Sequence, residues 1–172
     1  MLPNLSTIFR YRRRTLIELN DPKWSDLPGN YGNGTLVAEL IARAKAGAPI
    51  DEWYEDLFQS LCHQYTVSVA AYAAAPHLVK IAESPHAPRT ELLILLGACY
   101  AFSDQSNLAL IPAELKEEWY ASARAAIPLL AELLGETHSS EAELLNLLFA
   151  MAAFNGHHSL ARAIEALDTN IE

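Results

Sequence analysis

Apolar residues recur at helical spacing from residue 35 almost to the end of the chain. Tyr54, Leu57, Phe58, Leu61 and Cys62 fall at i, i+3, i+4, i+7 and i+8, which is one face of an α-helix. The same period, punctuated by Gly and Pro, predicts helices over 35–46, 66–83, 89–102, 113–134, 140–155 and 159–167. Asp51 is placed to cap the helix that carries Tyr54, with acids in its first turn as the helix dipole favours. A polar stretch over 103–112 separates the fourth and fifth helices. Nothing alternates with period two over a strand-length run, so no sheet is expected. Residues 20–34 hold Pro22, Pro28, Gly29, Gly32 and Gly34 and read as a loop. The expected organisation is an N-terminal extension and loop over 1–34 and a helical-repeat domain over 35–172, folded as a single globular unit.

The helical pattern repeats. Residues 68–102 set over 120–154 give 14 identities in 35 positions without a gap. Ala73-Ala74-x-Pro76-x-Leu78 matches Ala125-Ala126-x-Pro128-x-Leu130, and Glu91-Leu92-Leu93 matches Glu143-Leu144-Leu145. The repeating unit is two helices, the first carrying an internal proline. Residues 36–62 form a third, more diverged unit. One helix pair cannot cover its own apolar face, but neighbouring pairs can cover each other. The fold class expected is all-α: an α-solenoid of about three helix pairs with capping helices. Pro76 and Pro128 should each kink a helix. His86 and His138 repeat in the turn of each unit, which points to a local structural role such as capping.

His63-Gln64-Tyr65-Thr66-Val67, the Ala-rich stretch through Ala75 and Pro76-His77-Leu78-Val79 carry a family likeness. Over roughly residues 30–168 the chain resembles bacterial HEAT-repeat-like proteins. Those proteins often show His-Gln-Gly-Thr before an Ala-rich helix with Pro-Phe-Leu; here Tyr65 stands at the Gly and His77 at the aromatic. The resemblance implies an α-solenoid used for protein contacts and brings no catalytic residues. Some small cytosolic helical-repeat proteins act as immunity proteins against bacterial toxins.

Charge changes the picture of the partner. The net charge is −9, unevenly spread. Residues 1–50 carry seven basic and four acidic side chains, net +3, whereas 51–172 carry five and seventeen, net −12. An acidic body repels phosphate backbones and attracts a basic protein. No apolar run approaches the roughly 18 residues of a membrane span. The expected partner is therefore a basic protein, with no nucleic acid and no membrane. The N-terminus lacks a secretory signal pattern. Arg10, Arg12, Arg13 and Arg14 read as a solvated basic turn. Cys62 and Cys99 lack CxxC spacing and read as two small buried hydrophobes, which suits a reducing, cytoplasmic setting.

No HExxH, P-loop, GxGxxG or GxSxG occurs. Neither a catalytic residue, a metal site nor a cofactor is expected. Cys62 and His63 are neighbours that a helix would point about 100° apart, a poor geometry for a thiolate–imidazole pair. His157 and His158 follow Gly156, which reads as a helix C-cap. His77 reads as a packed histidine. The candidate partner-binding set is Glu52, Trp53, Glu55, Asp56, Gln59 and His63, read as the polar face of one helix with Trp53 at its flank as an exposed anchor. Glu91 and Glu143 could extend it. The function expected is a non-enzymatic protein–protein interaction module, with an immunity or inhibitor protein as one version. The alternatives are a small metal-dependent or carboxylate/His enzyme built on His63, or a self-assembling scaffold subunit with Trp53 or Trp119 at the interface. The sequence leaves the oligomeric state open.

Overall fold

Asn33 starts the first helix: its Oδ1 accepts from the Thr35 N–H at 3.1 Å, satisfying one of the open donors of the first turn. The computed structural model describes residues 16–103, 108, 111–136, 138 and 140–168. Arg10, Arg12, Arg13 and Arg14, and most of the polar stretch after 103, lie outside the described residues. Among the described residues seven α-helices are bounded, in chain order: α1 (Gly34–Lys45), α2 (Tyr54–Leu61), α3 (Val69–Ala82), α4 (Arg89–Phe102), α5 (Ala113–Leu134), α6 (Glu141–Phe154) and α7 (His158–Asp168). The chain is all-α in class, and the periodicity predicted α4 and α5 to the residue.

The boundaries around α2 and the start of α3 differ by more than one residue, for local reasons. Asp51 does not cap α2. It lies in a 3-10 turn, Ile50–Glu52, and α2 begins only after Trp53. Trp53 turns inward, 1% exposed, and its indole N–H donates to the Ala48 carbonyl at 3.1 Å. The chain also leaves α2 before His63. Cys62–His63 (β1) pairs antiparallel with Thr66–Val67 (β2), Cys62 opposite Val67 and His63 opposite Thr66. This ladder is two residues long per strand, too short to register as an alternating pattern. It delays α3 to Val69.

The helices of the two repeat copies lie on one another. α3 packs against α5, and α4 against α6, while α1 packs against α3. α7 covers α6 and part of α4. α4 and α6 are each 14 residues long. They approach closely at Gly97, where a Cβ would stand 2.5 Å from the Ala150 Cβ. Only a residue without a side chain lets the backbones meet there. Pro76 and Pro128 both lie inside helices, as the repeat predicts. One continuous core runs from Trp24 to Ala161.

Part of that core was not expected. Trp24, in the Pro/Gly-rich loop, is 1% exposed and packs against α1, its indole N–H bonded to the Glu18 carbonyl at 3.0 Å. His86 and His138 do not cap helices: the residue before α4 is Pro88, and α6 is capped by Ser140, whose Oγ accepts from the Glu143 N–H at 3.1 Å. Gly156, at φ +77°, ends α6 in the left-handed conformation as read from sequence. Among the described residues no helix is long and apolar enough to cross a membrane.

Candidate functional site

The β1–β2 hairpin and the loop before α1 make one surface. Gln64 and Tyr65 link the strands with φ of +46° and +65°, a two-residue turn of the type that needs left-handed backbone at both positions. Neither is glycine, so the turn carries strain of order 1–2 kcal/mol per residue. Tyr65 is held outside by Phe102, ring centroids 4.6 Å apart. The loop docks through backbone: the Asn30 N–H donates to Ser60 O at 3.1 Å, and Asn30 Nδ2 donates to Thr66 O at 2.8 Å.

A line of hydrogen bonds crosses this surface. The Glu55 carboxylate can only accept, and Gln59 Nε2 donates to it at 2.7 Å. That leaves the Gln59 carbonyl oxygen to accept from His63 Nδ1–H. His63 Nε2 then accepts from the Tyr31 hydroxyl at 2.8 Å, with the rings edge to face. The carboxylate therefore sets the polarity of the whole line and fixes the imidazole tautomer. Both ring nitrogens are engaged, and neither meets a carboxylate. Tyr31, 50% exposed, was missed by sequence reasoning because it sits in a loop with no periodic signal.

The acidic residues lie beside this line. Asp51, Glu52, Glu55 and Asp56 are exposed, while Gln59 and His63 are half-buried. No Lys or Arg among the described residues pairs with these four acids. Tyr54 shows that Glu91 belongs with them. Its hydroxyl donates to the Glu91 carbonyl oxygen at 3.4 Å, and its pKa is pushed up to about 12, first by burial and then by the charges of Glu91 and Glu55. Trp53 is not part of the exposed face, because its ring fills the core beneath it. Trp119 is likewise 1% exposed, so neither indole is available as an interface anchor. Of the expected set, Glu55, Gln59 and His63 are joined by hydrogen bonds, Glu52 and Asp56 are exposed, and the set spans a turn, a helix and a strand rather than one helix.

Two further features lie below the surface. Cys62 and Cys99 are both free and buried, as expected of two small buried hydrophobes. Cys62 lines a cavity of about 270 Å³ with Phe58, Phe102 and Phe149. A second cavity, of about 690 Å³, lies between α1, α3 and the segment at Glu18. His77 at its edge is buried, as expected, and its Nε2 donates to the Ile17 carbonyl at 2.9 Å. Among the described residues no group of three or more His, Cys, Asp and Glu could hold a metal ion. Comparison with protein-family models, with curated proteins and with solved structures finds no match.

Proposed function

We propose that this chain is a HEAT-like helical-repeat binding module that presents the acidic surface at α2 to a basic partner protein. The observation that carries this reading is the group of Asp51, Glu52, Glu55 and Asp56, exposed together with no described cation paired to them. Carboxylates left unneutralised repel one another at a cost in folding energy, and a basic surface docking there relieves it. The packing of α3 on α5 and α4 on α6 supports the solenoid reading, since equivalent helices of successive repeats stack in that way. Immunity against, or inhibition of, a basic protein is the concrete version.

The hydrogen-bond line favours binding over catalysis at His63. A general base needs a free nitrogen facing substrate, and here Tyr31 and Gln59 occupy both. The bland alternative is a solvated acidic face, and one experiment separates the two. Protein is immobilised and exposed to lysate of its source organism at low and high salt, beside a variant carrying Glu52→Lys, Glu55→Lys and Asp56→Lys. A basic protein retained by the wild type at low salt, and lost both at high salt and on the variant, is the expected result. Equal retention by both proteins, or at both salts, overturns the acidic-face reading.

A further inference from the structure

Four aromatic rings from four different segments line the cavity of about 270 Å³. Phe58 comes from α2, Tyr65 from the hairpin turn, Phe102 from the end of α4 and Phe149 from α6. Three of them form a chain of contacts: Tyr65 lies 4.6 Å from Phe102, and Phe102 lies 6.2 Å from Phe149, centroid to centroid. Glu165 of α7 adds the one carboxylate of the described lining, which has no Lys or Arg. No Lys or Arg among the described residues pairs with that carboxylate. Tyr65 holds its place at a cost. It is 64% exposed, and its φ of +65° is strained for a bulky side chain. A glycine would form the same turn without strain, so the ring stands there against the preference of the backbone.

The lining selects the ligand. The face of an aromatic ring is negative and the carboxylate adds a full charge, so the cavity favours a cation. Hydration decides which cation. A metal ion needs several ligands to replace its water, and no group of three or more His, Cys, Asp and Glu among the described residues could hold one. A primary ammonium is strongly hydrated and gives up hydrogen bonds on entering walls that are mostly Phe, Ile and Ala. A fully methylated ammonium has no N–H to satisfy, and its methyl groups pack against rings. The volume of about 270 Å³ lies just below the roughly 300–1,000 Å³ of pockets for drug-sized ligands and suits a group of a few heavy atoms.

We propose that this cavity is an aromatic cage that binds a trimethylammonium group. The methyl groups pack against Phe58, Tyr65, Phe102 and Phe149, and Glu165 supplies the counter-charge. Tyr65, the most exposed of the four rings, forms the rim, and the strained turn is what brings it there. Such a group arrives either on a free small molecule or on a methylated lysine side chain; the chemistry that holds it is the same. The inference does not depend on the acidic-face reading, because it uses other residues and its readout needs no partner protein.

The test titrates the full chain by calorimetry with choline and two controls. Neohexyl alcohol is the uncharged carbon isostere of choline, and ethanolamine carries an ammonium without methyl groups. Choline should bind at one site per chain, about tenfold or more tighter than either control. Its methyl proton signal should move upfield on binding, under the ring currents of the cage. The methylamide of N-acetyl-trimethyllysine, titrated alongside, tells the two sources apart: tighter binding than choline assigns the group to a protein side chain, and equal or weaker binding assigns it to a free molecule. Glu165→Gln and Tyr65→Gly should each weaken choline binding about fivefold or more. Tyr65→Gly also relieves the strain of the turn, so the variant should stay folded, and its melting curve separates lost binding from lost structure. No saturable choline binding up to about 10 mM, or an isostere that binds as tightly as choline, overturns the proposal. Choline binding left unchanged by both substitutions also overturns it, since the cation then sits on another acidic surface. The wild-type titrations decide even if a variant fails to fold.

Discussion

Gly97 and Ala150 set the separation of α4 and α6, and the margin is one methyl group. Gly97→Ala would drive its Cβ to 2.5 Å from the Ala150 Cβ and 2.7 Å from the Ala150 Cα, atoms that cannot swing aside. We expect a loss of about 1–3 kcal/mol, the usual cost of overpacking, read from the shift of the urea midpoint at unchanged slope. His77 makes a pH prediction. Burial lowers its pKa below 6.5, with Lys45 adding to the effect and the Ile17 carbonyl and Glu18 opposing it. In the folded chain the ring stays neutral where the unfolded chain protonates. Stability is therefore fully present above about pH 6.5 and falls as the pH drops from there toward the lowered folded value. A His77→Gln variant, which keeps a donor for the Ile17 carbonyl, should lose that part of the slope in urea titrations between pH 7 and 5. The packed role of His77 was readable beside Pro76 on an apolar helix. Its partner Ile17 was not, because nothing local links the start of the chain to α3.

Between elements, aromatic rings do the joining. Trp119 on α5 stacks on Tyr100 of α4 with ring centroids 3.7 Å apart and planes 10° apart, and it meets Tyr72 of α3 at 4.5 Å. Tyr100 in turn meets Phe154 of α6 at 5.0 Å and donates its hydroxyl proton to the Trp119 carbonyl. One cluster thus ties four helices from both repeat copies. Trp119→Ala should cost about 3–5 kcal/mol and lower the melting temperature sharply, whereas Trp119→Phe should recover part of it. A loss below 1 kcal/mol would mean that the cluster is not the joint described. The helices that carry these rings are legible in the sequence from their apolar period. The hairpin was invisible. Its four paired residues are too few for a period, and the turn uses Gln64 and Tyr65 where a Gly-containing turn would have signalled it.

At the scale of the whole molecule, charge is the property that reaches furthest. A body of net −12 over residues 51–172 should draw a basic partner from beyond contact distance. Under the proposed acidic-face reading, the association rate with a basic partner should fall by about tenfold or more from low to high salt, with the dissociation rate changing less. Stopped-flow mixing measures both; a salt-independent association rate would remove the steering role.

Sequence by itself determined the helices, their order and the repeat, because backbone hydrogen bonds and the 3.6-residue period act over a few positions and leave a local trace. It also determined the charge, which is a sum and needs no geometry. Tertiary structure decided which distant groups meet: Trp53 and Trp119 turned into the core, Tyr31 set against His63, and Trp24 packed on α1. An amphipathic pattern records that a face is apolar, but not which remote face will cover it. That choice follows from how the stacked helices fill space together.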